Sequence, residues 1–78
     1  MEAIMTTKND QNTQIAIAGV ISELTRLLAQ SAAVAAQAQD AINKGDRNLA
    51  VGTLLGVEAA IQSIAPLFAA TLSLHRNH

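Results

Sequence analysis

Near its middle the chain reads Lys44-Gly45-Asp46, and on either side of that point apolar residues recur alternately four and three apart. Such alternation marks a helix with one apolar seam. A lysine near a helix end suits the negative end of the helix dipole, and a glycine just past it can take the left-handed conformation that stops the helix. The aspartate that follows is a good N-cap for a new helix. Helix, glycine, aspartate, helix leaves room only for a tight turn, so the two arms must run antiparallel as an all-α helical hairpin.

The first arm carries its seam on Ile17, Ile21, Leu24, Leu28, Ser31, Ala35, Ala38 and Ile42, with Val20, Leu27, Val34 and Ala41 as a flanking row. Glu23, Arg26, Gln30, Gln37, Asp40 and Lys44 lie opposite, on the face expected to meet water. Asp10, Asn12 and Thr13 are all capable N-caps, so the pattern predicts a flexible arm over 1–11 and a hairpin over 12–78. Within the hairpin a helix is expected over 12–44, a turn at 45–46 and a helix over 47–75. The second helix repeats the spacing through Ala50, Leu54, Val57, Ile61, Ile64, Phe68, Thr71 and His75, flanked by Thr53, Ala60, Leu67 and Leu74. Pro66 has no amide hydrogen to give the carbonyl of Gln62, so a kink is expected near 66.

Between Arg47 and His75 the only charged residue is Glu58. A helix apolar on nearly every side needs cover on several sides. A chain of 78 residues has little core of its own and needs disulfides, a metal or oligomerisation. It has no cysteine, and His75 with His78 is too small a ligand set for a metal, so no cofactor is expected. Oligomerisation is left, in its simplest closed form a homodimer making a four-helix bundle.

Folding about Gly45 sets Ala29, Ala33 and Ala36 roughly opposite Ala60, Gly56 and Gly52, and these small residues are expected to form a close helix-packing seam. Larger residues fill the open end. There Ile17, Ile21, Phe68, Leu72 and Leu74 form the candidate groove for a protein partner. Glu58 is expected either to reach water at the bundle rim or to accept bonds from Ser31, Gln30 or a partner chain.

Several function classes fall away. Gly52 and Gly56 sit mid-helix, where their amides are already bonded, so no phosphate-binding loop is present. Five scattered basic residues without aromatic platforms, and a net charge of −1, argue against nucleic acid. No serine, histidine and acid set suggests catalysis. The Gly52/Gly56 spacing is one used between membrane helices, yet Glu58, Gln62, Ser63 and Pro66 interrupt it, so a spanning helix is not expected. The polar start of the chain lacks the form of a secretory signal, and the cytoplasm is the expected compartment.

The stretch from Leu28 to Ile64, with its alanine-rich first helix, short Gly-Asp-Arg turn and aliphatic second helix, resembles small uncharacterised two-helix proteins of bacteria and their phages. That group includes dimeric hairpins that bind and disable regulatory proteins. The resemblance implies a regulatory binding module and assigns no functional residue. The expected function is therefore a non-enzymatic protein-interaction module, a homodimeric hairpin acting as regulator, inhibitor or adaptor. The alternatives are an oligomer that sequesters a small molecule, and a structural subunit that self-assembles through its apolar helix.

Overall fold

The computed structural model describes the backbone of residues 2–76 and the side chains of residues 10–76. Helix α1 spans Glu2–Asn43, α2 spans Arg47–Leu55 and α3 spans Glu58–Arg76. The last two are segments of one bent arm, and both pack along α1. No strand occurs among the described residues. The result is a rod, 66 × 15 × 11 Å, with its length set by α1. Its radius of gyration is 18.5 Å, where a compact domain of this size would have about 11–12 Å.

The turn follows from local chemistry. The amide of Asp46 donates to the carbonyl of Ala41 (3.0 Å) and that of Gly45 to the carbonyl of Ile42 (3.0 Å). These nested bonds satisfy carbonyls that the helix end would orphan, and they need a left-handed residue between them. Gly45 supplies it, with φ of 85°. The Asp46 carboxylate then accepts from the amide of Leu49 (3.0 Å), capping α2. Lys44 pairs with Asp40 (2.9 Å), one turn back on the exposed surface.

Three features differ from the sequence reading. First, α1 begins at Glu2, so helix occupies residues 2–11 of the 1–11 segment expected as an arm, and Asp10, Asn12 and Thr13 lie inside it. N-capping adds only about 1 kcal/mol, too little by itself to fix where a helix begins. Second, the interruption in the second arm falls at Gly56–Val57 and not near Pro66. There Gly56 and Val57 donate to Thr53 and Leu54, three residues back (3.0 and 2.9 Å), a tightened turn before α3 restarts at Glu58. Pro66 lies exposed inside an unbroken α3, so the freed carbonyl of Gln62 is on a solvated stretch.

Third, the seam runs one row over. The buried and half-buried positions of α1 are Thr13, Ile17, Val20, Leu24, Leu27, Ser31, Val34, Ala38 and Ala41, apart from Glu23 on their flank. In the second arm they follow Ala50, Thr53, Val57, Ala60, Ile64, Leu67, Thr71 and Leu74, with Ala70 and Leu72 alongside. Both rows keep strict four-three spacing and mirror each other about the turn. The turn decides the phase: so short a connection brings the axes closest beside it, where the buried Ala38, Ala41 and Ala50 take least room.

Candidate interaction surface

A two-helix rod has two flanks, and the seam defines them. In a right-handed helix the residue after a seam position lies about 100° around the axis. For two antiparallel helices that step leads to the same flank of the pair. On this flank α1 places Ile21, Leu28, Ala35 and Ile42, and the second arm places Val51, Leu54, Ile61, Ala65 and Phe68. A shallow hollow of about 380 Å³ confirms the sharing, being lined from α1 by Ala35, Ala38, Gln39 and Ile42 and from α2 by Ala50, Val51 and Leu54. The large residues here are conspicuously open: Leu28 is 54%, Ile61 61% and Phe68 59% exposed. Thr25 sits in the same row with its hydroxyl already donated to the carbonyl of Ile21 (2.9 Å).

The other flank is small and polar. Its hollow, about 470 Å³, is lined by Glu23, Arg26, Leu27, Gln62, Ser63, Pro66 and Leu67. The Arg26 guanidinium donates two hydrogen bonds to the Glu23 carboxylate across one turn, a bidentate pair. Those bonds, aided by the guanidinium charge, hold the Glu23 carboxyl below its usual range. The hairpin is thus two-sided, with an aliphatic flank and a flank that, apart from the exposed Leu49 beside the turn, carries ion pairs, amides and small residues.

The residues expected at the site divide between these regions. Of the small-residue seam, Ala60 alone is half-buried at the helix contact, while Ala29, Ala33, Ala36, Gly52 and Gly56 are exposed. A Cβ at Gly52 would meet nothing within 4 Å. At Gly56 it would meet the Thr53 carbonyl of its own arm at 3.2 Å and touch Val34 at an ordinary 3.9 Å. The backbones therefore do not approach through these glycines, and the small residues at the contact are Ala38, Ala41, Ala50 and Ala60. The candidate groove also splits. Ile17 and Leu74 are half-buried in the seam, Leu72 is half-buried beside it, and Ile21 and Phe68 lie on the aliphatic flank.

Glu58 opens α3, where a carboxylate favours the unpaired amides of the first turn. It is exposed, and that position gives the one acidic residue of the second arm's helices a structural reason. Ser31 instead lies in the seam with its hydroxyl buried and without a hydrogen-bond partner. His75 is exposed; His78, its proposed companion, lies outside the described residues. No group of three metal-ligating side chains occurs among the described residues. Sequence reading missed the flank as a surface because it assigned Ile21, Leu28, Ile42, Leu54, Ile61 and Phe68 to the hairpin's own seam. The signal was present in the second seven-residue row on each arm.

Compared with protein-family models, with curated proteins and with solved structures, the chain matches none.

Proposed function

We propose that this chain is a non-enzymatic protein-interaction module, a hairpin that pairs with a second copy as a four-helix bundle and acts on another protein as regulator, inhibitor or adaptor. One observation carries the reading: four described residues are buried, Leu27, Ala38, Ala41 and Ala50, while an aliphatic flank runs exposed along both arms. The chain exposes 5913 Å², against about 4,500 Å² for a compact monomer of the same mass. Leaving a large aliphatic side chain in water forgoes about 1.5–3 kcal/mol, and net stabilities of whole domains are only about 5–15 kcal/mol. Surface apolar on this scale marks a site of association.

Two arms, 10–43 and 47–76, are also apolar and long enough to cross a bilayer. The exposed Glu23–Arg26 and Asp40–Lys44 pairs on α1 favour a hairpin in water instead. A second reading, the sequestering oligomer, draws on the hollow by Ala35, Ile42 and Leu54, whose 380 Å³ is of the size that holds a small ligand. Capture from a native lysate, with mass spectrometry of proteins and extractable metabolites, separates the two. A stoichiometric protein supports the regulator; a metabolite without a protein overturns it in favour of sequestration.

A further inference from the structure

Resting on the homodimer reading above, the choice of contact surface can be made from the geometry. We infer that the flank bearing Ile21, Leu28, Ile42, Leu54, Ile61 and Phe68 is covered by the same flank of a second copy of this chain. On α1 the stripe residues recur at multiples of seven, and Leu54, Ile61 and Phe68 do the same on the second arm. This is the repeat of the internal seam, so the stripe presents knobs and holes of the kind another helix pair of equal spacing fills. Because both arms contribute to one flat side, the surface meets itself under a two-fold axis lying in its plane, with no second surface required.

The area agrees. The six residues are between 43% and 61% exposed, on the order of 100 Å² apiece, and with the alanines between them they approach the roughly 800 Å² per partner of a standard interface. The charge agrees as well. Within the rows that make up this flank the charged residues are Glu58 and, at the turn end, Arg47, so between Leu54 and Phe68 an identical flank brings no opposed lysines or arginines that would need partners. A bilayer surface is the poorer occupant. Helices that lie on membranes carry basic residues beside the apolar face, and here the net charge is −1 and both cations of α1 beyond residue 10, Arg26 and Lys44, are paired with carboxylates, which offers anionic lipid little.

The test is light scattering of the full chain and its variants at micromolar concentrations. Leu28→Glu and Ile61→Glu, each on the stripe, should weaken the dimer at least tenfold, while Ala33→Glu on the opposite flank should change it by less than twofold. A monomeric wild-type chain overturns the homodimer reading itself. A wild-type dimer that Ala33→Glu breaks and the stripe variants do not leaves that reading standing and overturns the choice of flank. Since an acidic stripe variant can also unfold, Glu58→Leu supplies the converse: removing the stripe's charge should tighten the dimer at least tenfold. An unchanged or weakened dimer in that variant overturns the inference. So does flotation of the wild-type chain with phosphatidylglycerol vesicles in place of dimerisation.

Discussion

Two side chains carry predictions of their own. Ser31 holds a buried hydroxyl without a partner inside the seam. A hydroxyl in that state costs stability, and alanine is also the better helix former. Ser31→Ala should therefore stabilise the fold by about 1 kcal/mol, read as a higher denaturant midpoint at unchanged slope; a lower midpoint would mean that the hydroxyl is bonded across the bundle. Glu23 is the second. Hydrogen bonds from Arg26 lower its folded-state pKa. Its contribution is thus present above the unfolded-state value and is lost as pH falls through the lower folded one. A carboxyl-resolved NMR titration should show Glu23 below the usual glutamate range, returning to it in Arg26→Ala. The pair is exposed to solvent, so its effect on stability is slight.

At the scale of the element, legibility followed the range of the forces involved. Gly45 as the left-handed stop and Asp46 as the cap were readable because each acts through bonds to residues a few places away. The phase of the seam was not, since both arms carry two apolar rows and spacing alone does not rank them. Pro66 leaves α3 unbroken, and the interruption of the arm lies ten residues earlier, at Gly56. Gly56 gave no warning because a mid-helix glycine is often tolerated, whereas here it sits in the tightened turn between α2 and α3. The glycines now separate cleanly by role. Gly45→Ala forces an alanine to a φ of 85° and should cost about 1 kcal/mol, a fall in melting temperature of some 4–8 °C. Gly52→Ala has open space and should gain about 0.5–1 kcal/mol. A lower melting temperature for Gly52→Ala would show another backbone packed against that flank.

For the molecule as a whole, the shortage of core is the governing fact. If a second copy completes it, folding and association are one equilibrium, and the melting temperature should climb with protein concentration. Scanning calorimetry across a hundredfold range of concentration checks this, and a constant midpoint would describe a self-sufficient monomer. The mirrored seam also sets a timetable. Ala41 and Ala50 stand nine places apart in the chain and Ile17 and Leu74 fifty-seven, so closing each successive pair is entropically dearer unless the previous one is already made. The hairpin should therefore zip from Gly45 outward, its alanines meeting before its leucines, with the last contacts to form, and the first to fray, at the open end beside Ile17 and Leu74.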